Sequence, residues 1–189
     1  VDDEVVLERL YSIFPSTGVG IAFAFCDYQR SDDEEHIELA RNLLRMILER
    51  SDAWPVELRP LYESAKRSRS EMSLDEVFAL LRISMRTRAR NFLVIDAIDE
   101  LHIDSRDVLV PKLLELQKCT GLSMFVTSRD IGQINDLFSG ALQTRIKATN
   151  EDIEKYISTH MTMLPRIVSK NPDLQDTIKK SVIQAAGEM

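Results

Sequence analysis

Three carboxylates fall within five positions of the segment FLVIDAIDEL, residues 92–101: Asp96, Asp99 and Glu100. The four apolar residues ahead of Asp96 read as a strand buried on both faces, the kind that builds parallel sheets. Asp96 is then expected at the carboxyl end of that strand. Ligands of open α/β sheets gather at this edge, so Asp99 and Glu100 are expected in the same crevice. Like charges this close repel one another unless a proton or a cation relieves them. A hydrated magnesium ion is suited to the task, because it takes one or two carboxylates and keeps its waters for a phosphate substrate.

The flanking segments must position these acids. Residues 5–14 carry apolar residues at mixed helical spacing and predict a helix that stops before Pro15 and the turn STG; VGIAFAFCDY, residues 19–28, predicts a short buried strand. Ser31 and Glu34 have the spacing of a capping box ahead of an amphipathic helix with Ile37, Leu39, Ala40, Leu43, Leu44, Ile47 and Leu48 on its apolar side. Pro55 and Pro60 bracket a short helix that the polar run AKRSRS closes. Ser73 and Glu76 form a second capping box, opening a helix to about Arg86 that feeds the strand at 92–96.

The second half keeps the alternation. A loop at residues 102–105 leads to a helix over 108–119, in which Pro111 is tolerable near the first turn and Gly121 is the stop signal. LSMFVTSR, residues 122–129, predicts the next strand, and LQTRIKA, residues 142–148, alternates well enough for a strand at a sheet edge. Residues 149–152 cap a helix that breaks at Pro165, and Asn171-Pro172 opens a last helix over 173–186. The expected fold is α/β, a three-layer sandwich around a parallel sheet over residues 1–148, followed by a helical appendage over 149–189.

Composition narrows the partners. A chain of 189 residues with 44% hydrophobic content can bury one sizeable core and a small annex. The formal charge of -7 argues against nucleic acid as main partner, since neutralising phosphates needs a basic face. Cys26 and Cys119 lie in or beside apolar segments without metal-ligand spacing, so both are expected as buried free thiols of a reducing compartment. No apolar run is long enough for a membrane span, and the start VDDEVV is unlike a targeting peptide, so a cytoplasmic location is expected.

A strand ending in acids, a helix, then a strand ending in TSR is the spacing of Walker B and sensor 1 in P-loop NTPases. FLVIDAIDEL resembles the Walker B box of NACHT domains, the nucleotide switches of the STAND class. MFVTSRD is similar to their sensor segment, GIAFAFCDYQ to the strand after their P-loop helix, and NEDIEKYISTHM to their first helical annex. The agreement with the fungal branch, nephrocystin-like amino-terminal regions, runs from about residue 5 to residue 189. The resemblance implies a P-loop NTPase-like fold and a switch that binds ATP or GTP with magnesium and hydrolyses it slowly. Nucleotide state would be coupled to assembly in signalling or defence, with effector and repeat domains of the same protein as partners and with self-association. It assigns magnesium to Asp96, usually through water, and the terminal phosphate to Arg129 beside Ser128.

One departure matters. The family's phosphate loop, G-x-x-x-x-G-K-[ST], is expected just upstream of the first helix, and the chain reads as a NACHT domain cut after that loop. STGVGIA offers no lysine and precedes a strand, so Gly18 and Gly20 read as ordinary turn residues, and this chain by itself is expected to hold no nucleotide. In the resemblance the strand leading into the phosphate loop lies between the 122–127 and 142–148 strands. Direct closure of these two, insertion from a second chain, or a segment of a longer protein would fill that place, and the last is favoured.

Simpler roles compete with these. Either Asp99 or Glu100 suits a base that orients an attacking water, with Asp99 slightly preferred, and the other suits a cap of the following helix. Arg129 alternatively pairs with a local acid such as Asp130. Arg82, Arg86, Arg88 and Arg90 read as a solvated face, with cations favoured near a helix carboxyl end. His102 and His160 lack ligand partners, and Met161, Met163 and Leu164 read as packing. Two function classes remain: the nucleotide-dependent switch, and a nucleotide-independent interaction module that keeps only the α/β shell.

Overall fold

The structure, a computed structural model, describes residues 3–14, 18–27, 35–50, 56, 58, 60, 72–169 and 171–187. The first proposed capping box, the stretch around Pro55 and the AKRSRS run lie outside the described residues. The chain divides into two units, residues 1–141 and 142–189.

The first unit is built on a parallel sheet of three strands among the described residues: β1 (Val19–Phe25), β2 (Arg90–Asp96) and β3 (Ser123–Val126), in that spatial order. β2 therefore lies in the middle, with Phe25 opposite Asp96 on one side and Ile95 opposite Val126 on the other. Strand alternation sorts the apolar residues onto two faces. Val19, Ile21 and Phe23 of β1, with Phe92 and Val94 of β2, meet the helix α1 (Asp3–Ile13) through Leu7, Leu10 and Tyr11. Phe14, just past α1, stacks on Phe92 with ring centroids 5.0 Å apart. The other face, with Ala22, Leu93 and Ile95, carries the larger core with α2 (Glu35–Glu49), α3 (Leu74–Arg86) and α4 (Ile103–Thr120). Ile21, Ile47, Leu81, Ile95, Ile98 and Leu109 are all essentially sealed from solvent. Each such side chain stabilises the fold by about 1.5–3 kcal/mol. The protein is thus a mixed α/β structure with helices on both faces of the sheet.

Local chemistry explains the helix ends. Ser73 forms the expected capping box with Glu76, and the hydrogen bonds that Ser73 N and Oγ donate to Glu76 Oε2 hold that carboxyl below its ordinary range. Gly121 ends α4 at φ 64°, a left-handed conformation that glycine adopts without steric penalty. α4 begins at Ile103, earlier than expected, which leaves Pro111 in its interior. Proline removes the N–H that Asp107 O would accept; both residues face solvent, so water can satisfy that carbonyl. A short helix α5 (Gly132–Leu137) follows β3.

Several expectations are overturned. Residues 142–148 form no strand: they are irregular and exposed, Leu142 at 98% and Ile146 at 61%. Alternation specifies a strand only where a neighbour accepts its backbone groups and a surface covers its apolar side. The segment belongs to the second unit, residues 142–189. Gly20 is no turn residue. It lies buried inside β1, where an added Cβ would stand 2.5 Å from Asn91 Oδ1, 3.0 Å from Arg88 Cδ and 3.1 Å from Ile47 Cδ1. Cys119 is exposed while Cys26 is buried, because Cys119 sits on the outer face of α4. Arg88 is not on a solvated face: its guanidinium donates to Ile47 O in the last turn of α2, where carbonyls lack helical partners. Arg82 meets Glu115 at 3.3 Å, and Arg90 lies over the Phe14 ring.

The second unit contains α6 (Asn150–His160), α7 (Arg166–Ser169) and α8 (Pro172–Gly187), with a 3₁₀ turn at Met161–Met163. Thr149 and Asp152 form a full capping box at α6. Met161 is buried, whereas Met163 is 76% exposed and does not pack. Among the described residues no helix is long and apolar enough to cross a membrane.

Gly20→Ala tests the close packing of β1 on β2. Asn91 is anchored by donating to Met85 O at 2.9 Å, so it cannot withdraw cheaply. The substitution is expected to destabilise by about 1–3 kcal/mol, the range for overpacking a core. Urea unfolding measures this; a stability equal to the parent's would show that Asn91 yields.

Candidate functional site

The apolar run of β2 ends at Asp96, and the next residue turns the chain sharply. Ala97 adopts φ 53°, ψ 47°, the one non-glycine residue at positive φ among the described residues. This left-handed conformation costs an L-residue about 1–2 kcal/mol. The end of β3 holds it in place. Ala97 N donates to Thr127 Oγ1 at 2.9 Å, Ile98 N donates to Thr127 O at 3.0 Å, and Thr127 N donates to Ile95 O at 2.9 Å. Thr127 Oγ1 in turn donates to Asp96 Oδ1. One threonine thus ties the Asp96 carboxylate, the strained turn and two strand ends together. Ile98, fully buried, anchors the following 3₁₀ turn, Ile98–Glu100.

That turn delivers Asp99 to the loop after β3. Asp99 accepts from Arg129 N at 3.1 Å and from Arg129 Nε, and its side chain is 3% exposed while that of Arg129 is 75% exposed. Burial alone would raise the Asp99 carboxyl, but the side-chain and backbone hydrogen bonds from Arg129 outweigh it, and the net shift is downward. The same bonds and the charge of Asp99 raise the Arg129 guanidinium. The partner of Arg129 is therefore distant in sequence; the adjacent Asp130 instead accepts from Asn135 Nδ2 at 2.9 Å.

The structure brings Asp96, Asp99 and Arg129 to one edge of the sheet, with Glu100 at the end of the same turn. The Ser128 hydroxyl is exposed and donates to Arg129 O. The N-cap of α4 is His102, so neither acid is the N-cap residue of that helix. Two members of the site carried no clear signal in the sequence. Thr127 is one, since a lone threonine at a strand end reads as β propensity alone. Cys26 is the other: its N–H donates to Asp96 O at 3.0 Å. Its thiol is pushed up to about 12 by burial first and then by Glu35, Asp96, Glu100 and Asp99, so it stays protonated and is a poor nucleophile.

Among the described residues no group of three or more His, Cys, Asp or Glu side chains could hold a metal ion. Asp96 offers one carboxylate with one oxygen already engaged by Thr127. That suits a magnesium ion that keeps its waters, and does not suit a cation requiring an all-protein cage.

The Asp99–Arg129 pair makes stability depend on pH. A depressed folded pKa contributes stability above the unfolded value and loses it as pH falls through the folded value. Asp99→Asn is therefore expected to unfold at lower urea concentration than the parent at pH 7. The gap should close as pH falls below 3.8, the ordinary value for aspartate. A gap that persists unchanged in acid would mean that the charge of Asp99 is not what stabilises.

Comparison with known proteins bears on the same region. The family model described as nephrocystin 3, N-terminal, matches residues 5–129, well over half of the chain and all of the site from Asp96 to Arg129. No curated protein and no solved structure matches the chain. On the extent of that match, the chain belongs to the nephrocystin 3 N-terminal family.

Proposed function

We propose that the chain is the Walker B and sensor part of a nucleotide-controlled switch of the NACHT and STAND type, on a P-loop NTPase-like fold. One observation carries the reading: Asp96, at the end of the central parallel strand, is fastened through Thr127 to the loop that bears Arg129. Each residue then has a role its surroundings support. Asp96, with one oxygen held, would meet a hydrated magnesium ion with the other. Magnesium, when bound with ATP or GTP, neutralises phosphate charge. Arg129 presents an exposed planar fork suited to phosphate oxygens, with the Ser128 hydroxyl beside it.

Arg129 now serves Asp99, and a phosphate would compete for it. Losing Arg129 would leave Asp99 with burial as its main influence, which raises its pKa and makes it a better base toward water. Glu100, on the same turn, is the alternative base. Phosphate capture and base activation would then be one event. The helical second unit and other domains of the parent protein would carry the change into assembly.

A second reading is favoured by the engaged state of Arg129 and by the single carboxylate available to a metal: a nucleotide-independent interaction module. Two measurements separate the readings. Titrating magnesium-ATP into this chain in a calorimeter is expected to show no binding, because Asp96 and Arg129 do not replace a cradle of backbone donors; micromolar affinity would mean that phosphate binds elsewhere. In the intact parent, Asp96→Asn is expected to lower magnesium-dependent nucleotide hydrolysis by about tenfold or more. Unchanged hydrolysis, or none in either protein, would favour the module.

A further inference from the structure

Arg106 is 6% exposed, and no hydrogen bond or ion pair joins its side chain to any described residue; its Nε is among the sealed atoms without an acceptor. A guanidinium buried in this way is unfavourable, because the low-dielectric interior does not replace the water it loses. The acids closest in sequence do not answer it. Asp99 is held by Arg129, Asp104 lies 3.6 Å from His102 Nδ1, and Asp107 faces solvent.

The helix that carries Arg106 supplies further donors. α4 runs for 18 residues, and its N-cap residue, His102, makes no side-chain cap hydrogen bond. Backbone bonding begins with Arg106 N donating to His102 O at 2.9 Å, so the N–H groups of Ile103, Asp104 and Ser105 have no acceptor among the described residues. Ile103 and Asp104 are exposed and can turn to water, whereas Ser105 is 3% exposed. The Ser105 hydroxyl lies 3.2 Å from His36 Nδ1, so the start of α2 stands beside the turn. Side chains on a helix lean toward its amino end, and a long one covers the turn before its own Cα. From the fourth position of α4, Arg106 is therefore directed back over the uncapped turn, where the helix dipole adds to its charge.

We propose that the first turn of α4 binds a free tetrahedral oxyanion, inorganic phosphate or sulfate, between the Arg106 guanidinium and the N–H groups of that turn. The guanidinium is a planar fork that engages two oxygens, and the remaining oxygens of a tetrahedral anion accept from backbone N–H groups. A carboxylate, with two oxygens, cannot serve both. Because Arg106 is nearly sealed, the site admits the free anion and excludes an ester substituent. Asp104 and Asp107 oppose the anion only weakly, since both are exposed and screened by salt. The site shares no residue with the Asp96–Arg129 edge and does not rest on the nucleotide reading.

Urea unfolding of this chain in sodium phosphate, against sodium chloride at equal ionic strength, tests the proposal, with calorimetry supplying the dissociation constant. Phosphate at ten times that constant is expected to raise the folded-to-unfolded ratio about elevenfold. Glycerol phosphate is expected to bind about tenfold or more weakly than free phosphate, because its ester carbon clashes with the sealed turn. Arg106→Met should abolish the response to phosphate. In chloride the same variant should unfold at a higher urea concentration than the parent, since methionine removes the buried charge. Equal midpoints for the parent in phosphate and chloride would overturn the site, whether or not the variant folds. A variant midpoint below the parent's in chloride would show that the protein itself satisfies the guanidinium, and glycerol phosphate binding as tightly as phosphate would show an open turn; either result would overturn the proposal.

Discussion

Burial of β2 on both faces is the constraint from which the rest of the first unit follows. A strand covered by α1 on one side and by α2, α3 and α4 on the other cannot place a charge within its length, so its first ionisable residue after Arg90 stands where the covering ends. Asp96 is that residue. The parallel arrangement places the ends of β1 and β3 beside it, which is why Cys26 and Thr127 are its neighbours. The same tight packing accounts for the glycine in β1, since Asn91 and Ile47 already occupy the volume a methyl group would need.

The turn after Asp96 shows how strain and hydrogen bonding balance at the sheet edge. Ala97 in the left-handed region is unfavourable, and the bonds to Thr127 offset it by satisfying two successive N–H groups that would otherwise face a crowded edge. That geometry makes the Asp99–Arg129 contact possible. The pair is asymmetric: a nearly sealed carboxylate and a largely exposed guanidinium. An exposed guanidinium can exchange partners with little desolvation, whereas the carboxylate depends on whichever cation is present.

Legibility in the sequence followed the range of the physical interaction. The capping boxes Ser73–Glu76 and Thr149–Asp152, the left-handed Gly121 and the buried run before Asp96 could all be read, because each is set within a few residues or by side-chain period. LQTRIKA could not, although its alternation is as regular as that of a true strand, because pairing depends on a neighbour that alternation does not name. Pro111 misplaced the start of α4 because its cost depends on whether the carbonyl it orphans meets water.

For the candidate site the division is similar. The sequence by itself determined that three acids would gather at the end of a buried strand and that an arginine would follow the next strand, since periodicity and chain order suffice for that. Only the tertiary structure decided which acid meets which base. Asp99 rather than Asp130 receives Arg129, and Thr127 holds Asp96, because these contacts cross between loops some thirty residues apart and depend on strand register.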